Sequence, residues 1–267
     1  MRDLMLKNRP TALLTMLVLA LGLTLTGCSD DDDDDGGNNP TGPSETQFDE
    51  AFVTQQATTV VPLAVSQIES VLLYVDGVGN KADDNYSWGW NGDQGRWEGS
   101  YSGNYEGMAV SYEAWVQYLD ALGEPQQEAL GAASMAYYTL ASLVYSFTGD
   151  GTSVDMAYDI EENMSATGLG TDTVIINGDS MADLDYAWSN ANGSGTATYS
   201  YSWQILSPGI AYPLDGCPTG TIEFTMAPYT VTVVFDGSDM AAYTITENGT
   251  VIPGGTGTTP VSCTAAR

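Results

Sequence analysis

The stretch MAVSYEAWVQY, residues 108–118, carries Met108, Val110, Tyr112, Ala114, Val116 and Tyr118 on one parity, with Ser111, Glu113 and Gln117 among the residues between them. Side chains of an extended strand point alternately to opposite faces, so this period of two gathers the apolar groups on one face and leaves the other to water. On a helix the same residues would be scattered around the circumference. The alternation returns at Tyr199, Tyr201 and Trp203, at Ile222, Phe224 and Met226, and at Val231, Val233 and Phe235. The links are turn sequences: Asn91-Gly92-Asp93, Asn192-Gly193-Ser194-Gly195, Ala227-Pro228, Asp236-Gly237-Ser238 and Asn248-Gly249. Short links pair strands that are neighbours in sequence. The expected fold is mainly β, an antiparallel meander forming a sandwich or (half-)barrel.

Outside the strands the pattern changes. Residues 48–75 place Phe48, Phe52, Val60, Val61, Leu63, Ala64, Ile68, Leu72 and Val75 largely at helical spacing, with Pro62 as a break. This predicts an N-terminal helix over about 65–74, packed by its apolar face on the sheet. Residues 124–136 read equally as a short helix or a long loop. Residues 174–186 and 222–245 read as two Thr-rich hairpins of similar texture. The body, 48–267, has the size of a single β-rich domain. At the level of fold alone, a twisted and partly closed sheet with a helix against it is similar to half-barrel lipid carriers of the periplasm.

The chain starts with Arg2, Lys7 and Arg9, then an apolar run from Ala12 to Leu25. That is the layout of a secretory signal peptide. Its roughly 14 apolar residues fall short of the roughly 20 that a membrane span needs. The run closes on Leu25-Thr26-Gly27-Cys28, which resembles the lipobox of bacterial lipoproteins. The resemblance covers this leader only. It implies removal of 1–27, acylation of Cys28 as the first mature residue, and a membrane anchor, since two or more acyl chains give stable attachment. Ser29 and six aspartates, 30–35, come next, then a Gly/Asn/Pro/Thr/Ser stretch. Like charges in a block keep a chain extended, and this composition builds no core, so 28–47 reads as acylated Cys plus an acidic tether. An acidic run after the lipidated Cys also resembles a surface-export signal of some Gram-negative lineages, and Ser29 resembles outer-membrane sorting. The expected location is the bacterial cell envelope, at the outer membrane, periplasmic or surface-exposed.

With Cys28 taken by lipid, Cys217 and Cys263 remain in a chain bound for an oxidising compartment, which predicts one disulfide. Zinc is the alternative, a poor one with two thiolates and no histidine anywhere in the sequence. The bridge would pin the Pro/Gly/Thr-rich tail, 253–260, to the body. The net charge is −29 at pH 7, and without the leader only Lys81, Arg96 and Arg267 are basic. Such a surface repels nucleic acid and bare anionic lipid.

Catalytic constellations are scarce. Without histidine there is no Ser-His-Asp or Cys-His arrangement, and no Gly-rich phosphate loop or dinucleotide fingerprint is present. Paired carboxylates for glycoside hydrolysis would occur by chance among so many acids, and the sequence singles none out. Trp88, Trp90, Trp97 and Tyr101 form an aromatic group in a Gly-rich stretch with Arg96 among them, a candidate platform for a glycan; filling a core is the competing reading. Acid-rich turns at 76–85, 155–163, 179–185 and 236–239 are candidate calcium ligands, though none has the EF-hand spacing, and solvated surface explains them equally. No cofactor is assigned. The expected function is a lipid-anchored envelope protein with a non-catalytic binding or structural role, held to the membrane through Cys28 and meeting a glycan or another envelope protein. The alternative is a carrier, or a carbohydrate-binding or -hydrolysing protein, using an aromatic and carboxylate-lined cavity.

If 30–35 is only a spacer, deleting it leaves the thermal melting curve of the body unchanged. A fall of several degrees would show instead that the run docks on the body.

Overall fold

The computed structural model describes residues 81–82, 86–105, 108–149, 151–191, 193–213, 215–261 and 263. The lipobox, Cys28, the acidic tether and the expected helix over 65–74 lie outside them. The elements are β1 Lys81–Ala82, β2 Tyr86–Asn91, β3 Arg96–Tyr105, β4 Met108–Leu119, β5 Pro125–Gln126, β6 Ser134–Gly149, β7 Thr152–Thr167, β8 Thr173–Asn190, β9 Gly193–Ile205, β10 Ile210–Pro213, β11 Thr219–Met226, β12 Tyr229–Asp236, β13 Met240–Glu247 and β14 Thr250–Pro260. All fourteen belong to one antiparallel sheet, and no helix occurs among the described residues. The order follows the sequence, β1-β2-β3-β4-β6-β7-β8-β10-β11-β12-β13-β14, with β5 beside β4 and β9 between β8 and β11. The expected meander is therefore present.

The quoted stretch is β4. Tyr112, Ala114, Val116 and Tyr118 are buried, while Ser111 and Glu113 are exposed. The same parity rule gives the sheet a buried and an open face throughout. Three glycines let large rings lie flat on the backbone opposite. Gly99 faces Trp88 in register, Gly195 faces Trp188 and Gly257 faces Tyr243; a Cβ on any of the three would run into the ring across from it. The aromatic ring thus covers a strand position that has no side chain of its own.

Turn chemistry behaves as its sequence dictates. Asn248 and Gly249 adopt φ of 49° and 79° between β13 and β14, the left-handed pair that a tight hairpin requires. Asp236 accepts a hydrogen bond from the Ser238 backbone N–H at 2.9 Å, closing the β12–β13 link.

Several sequence readings change. Residues 124–136 are not a helix: Pro125–Gln126 pairs with β4, and 127–133 form a loop, turned at 129–132, that leads to β6. The stretch 174–186 is not a hairpin but the middle of β8, whereas 222–245 spans β11 to β13. The acid-rich segments 155–163 and 179–185 are not turns; they lie inside β7 and β8, with every second residue buried. The tail 253–260 is itself strand β14, hydrogen-bonded to β13. Local composition misleads here because Gly, Pro and Asp are tolerated in a strand at an edge or on an open face.

Cys217 and Cys263 form the disulfide. It ties the chain after edge strand β14 to the loop before β11, so one covalent link spans the four strands β11 to β14. Closing a separation of 46 residues is worth up to about 4 kcal/mol in the chain-entropy account. Cys263→Ser lowers stability in chemical denaturation by about 2–4 kcal/mol, and the far-ultraviolet β signal at low temperature stays. Loss of that signal would show that the sheet itself needs the bridge.

Candidate functional site

Strands β6, β7 and β8 pair over almost their whole lengths. On β7 the buried parity runs Met156, Tyr158, Ile160, Glu162, Met164, Ala166, so one acid sits in an otherwise apolar series. Register places Thr139 directly opposite Glu162 on one side and Ser180 opposite it on the other. The row continues with Ala114 beyond Thr139 and Trp203 beyond Ser180. Thr139, Glu162 and Ser180 are 4%, 4% and 2% exposed, the buried polar or charged side chains of the described sheet.

The row is not satisfied internally. The Tyr137 hydroxyl donates to Glu162 Oε2 at 2.6 Å. Glu162 Oε1, Thr139 Oγ1 and Ser180 Oγ have no hydrogen-bond partner. Each unmade bond at a buried polar group costs about 1–3 kcal/mol. Burial pushes the Glu162 carboxyl up to about 7, against the opposing pull of the Tyr137 hydrogen bond. The Tyr158 phenol, four residues back on the same face, is raised by burial and by the charge of Glu162. Its hydroxyl meets that of Tyr201, and the two rings lie 6.2 Å apart and 25° from parallel.

The aromatic residues weighed as a glycan platform or as core filling fall on the buried face, as the core reading has it. Trp88 and Trp97 are each 4% exposed. Trp97 Nε1 donates to the Gln127 carbonyl at 2.9 Å, and Trp90 packs edge-on against Trp97 at 5.8 Å. Tyr101 is half-buried opposite Tyr112. Trp90 alone borders an open concavity of about 490 Å³, shared with Gly89, Asn91, Gly92, Asp93 and Glu98. Arg96 does lie over a ring, but the ring is Trp115 on the open face, 5.0 Å from the guanidinium carbon. Trp115 stacks in turn on Tyr138 at 6.0 Å. Arg96 also pairs with Glu98 at 2.7 Å, and Asn91 donates to the same carboxylate at 3.0 Å. The Asn91 bond first, and Arg96 second, hold the Glu98 carboxyl below its ordinary value. With Arg96 on one side and Tyr138 on the other, Trp115 has little ring face left for a guest.

Of the acid-rich segments expected as turns, 155–163 and 179–185 place Asp155, Asp159, Glu161, Asp179, Asp183 and Asp185 on the open parity of β7 and β8 and Glu162 on the buried one. The segment 236–239 runs from the end of β12 through the link to β13, and 76–85 lies largely outside the described residues. No group of three or more His, Cys, Asp or Glu placed to hold a metal occurs among the described residues. The sequence reading passed over Thr139, Glu162 and Ser180. A signal existed: Glu162 shares parity with Tyr158, Ile160 and Met164, whereas its neighbour Glu161 shares parity with Asp155 and Asp159. No protein-family model, curated protein or solved structure matches the chain.

A buried acid titrating near 7 imposes a sign on stability. Its folded value lies above the unfolded one of 4.5, so the folded state holds the extra proton and stability falls as pH rises through that window. Glu162 alone accounts for a loss of about 3 kcal/mol between pH 4 and pH 8. The stability difference between wild type and Glu162→Gln, measured by urea unfolding, shifts by that amount in favour of the variant over the same range. A difference that does not move with pH would mean that Glu162 ionises as freely folded as unfolded.

Proposed function

We propose that the chain is a lipid-anchored protein of the bacterial cell envelope, at the outer membrane on its periplasmic or surface side, acting by binding or by structure and not by catalysis. The observation that carries this reading is Leu25-Thr26-Gly27-Cys28, placed where the apolar leader gives way to Ser29 and the aspartate run. Gly27-Cys28 suits lipidation at that boundary, and the tether after it suits a body held clear of the membrane. A sheet whose polar open face bears the acids is consistent with a body that stays in water.

The same proposal includes the finer fold. The sheet forms a sandwich or (half-)barrel, with the expected N-terminal helix, 65–74, packed on it. In support, side chains of β4, β6, β7 and β8 are buried although the described strands make a single sheet, and 48–75 offers an apolar face at helical spacing.

A second reading, the carrier, is favoured by one specific observation: Glu162, Thr139 and Ser180 keep unpartnered oxygens on a buried face. Native proteins leave few such atoms without a reason. A ligand with a polar end would occupy them.

Metabolic labelling tests the anchor. Radiolabelled palmitate enters the wild-type protein, does not enter Cys28→Ala, and globomycin leaves the precursor uncleaved. A mature protein recovered from the aqueous phase without lipid removes the reading.

A further inference from the structure

We propose that Thr139, Glu162 and Ser180 form the floor of a binding site for an organic ammonium group. The proposal rests on the carrier reading and names its ligand class. The three side chains stand side by side on three adjacent strands, all nearly inaccessible, each with an oxygen that no other group uses. Their neighbours on the buried face are short: Ala114 is opposite Thr139, and Ala141 and Ala182 flank Ile160 in the next row. Small side chains therefore adjoin the Glu162 row on the buried face. The side chains around the row are aromatic, with Tyr137 bonded to the carboxyl, Tyr158 four residues back on the same face, Tyr201 opposite Ala182 and Trp203 opposite Ser180.

An ammonium group fits this chemistry. Its N–H bonds need acceptors, which a carboxylate and hydroxyls provide. Aromatic faces attract a cation through the ring quadrupole, an electrostatic gain that a neutral guest lacks. A hard metal ion wants six or more oxygens, and three free ones fall short. Among the described residues no lysine or arginine pairs with Glu162. Residues 28–80 contain neither Lys nor Arg. Arg96 is engaged by Glu98 and Trp115 on the opposite face, and Lys81 belongs to the edge strand β1.

The titratable groups nearest Glu162 on the buried parity are tyrosines: Tyr112 on β4, Tyr137 on β6, Tyr158 on β7, Tyr186 on β8 and Tyr201 on β9. Glu113, Glu161, Asp179 and Asp183 on the same strands have the other parity. Among the described residues a guest cation would thus meet a single acid on the buried face. That acid must ionise to receive it, and with its carboxyl titrating near 7 the ionised fraction, and with it the affinity, rises about tenfold from pH 6 to pH 8.

Calorimetric titration of the full-length protein with n-butylammonium chloride, run to equilibrium at both pH values, reads this directly. Potassium chloride and n-butanol serve as comparisons. The expected result is saturable binding of butylammonium, about tenfold tighter at pH 8, with neither comparison competing. Glu162→Gln abolishes it. Asp183→Asn, which removes an open-face acid, leaves it intact. Thr139→Val and Ser180→Ala each weaken it severalfold, and they carry the test should Glu162→Gln fail to fold. Equal binding by Glu162→Gln or loss in Asp183→Asn would assign the effect to surface charge and overturn the site. Tighter binding of butanol than of butylammonium would overturn the ammonium class while leaving a carrier. Binding of neither overturns the site, whatever the palmitate experiment shows about anchoring.

Discussion

The backbone ladder joining β6, β7 and β8 is the constraint on which the rest depends. These strands have 16, 16 and 18 residues, and their register runs without a shift. Because side chains alternate with period two, a slip by one residue would turn every face inside out. In β7 such a slip would send Asp155, Asp159 and Glu161 inward and Met156, Tyr158 and Ile160 out to water. The acids of the open face thereby guard the register as effectively as the apolar groups of the buried face select it.

That arrangement carries an electrostatic cost. Asp159 lies directly opposite Asp183, a like-charge pair on adjacent strands, which disfavours pairing. Water screens it, and β9 adds hydroxyl donors: Ser200 to Asp183 and Thr198 to Asp185, the latter at 2.7 Å. The strand alternating Ser and Thr with Tyr and Trp is therefore both a partner for the acids and a wall of the buried face. Two separate tasks are written on one strand by its two parities.

The buried face holds the opposite kind of tension. Most of it is aliphatic or aromatic, and rings laid over glycines let large groups pack tightly. Into this surface the row of Thr139, Glu162 and Ser180 brings three polar groups, of which the surrounding chain satisfies only Glu162 Oε2. Replacing them with apolar residues of similar size would relieve the burial penalty. A site that departs from the packing rule obeyed around it is where a role other than stability should be sought.

The sequence by itself determined the antiparallel β character, the strands at 108–118 and 222–235, the Asn248-Gly249 turn and the pairing of Cys217 with Cys263. Each follows from a local signal: a period of two, a turn dipeptide, or two thiols expected to remain once Cys28 carries lipid. It did not reveal β6, where Leu140 and Val144 face outward and blur the alternation, nor β7, where acids on one parity look like a turn when read without their neighbours. The tertiary structure alone decided that Trp88 and Trp97 are buried, that Arg96 covers Trp115, and that Thr139, Glu162 and Ser180 form one row although they come from different strands. Parity is a local property and can be read along a chain. Adjacency across strands is set by register between distant segments, and a single sequence carries no record of which residues will stand opposite one another.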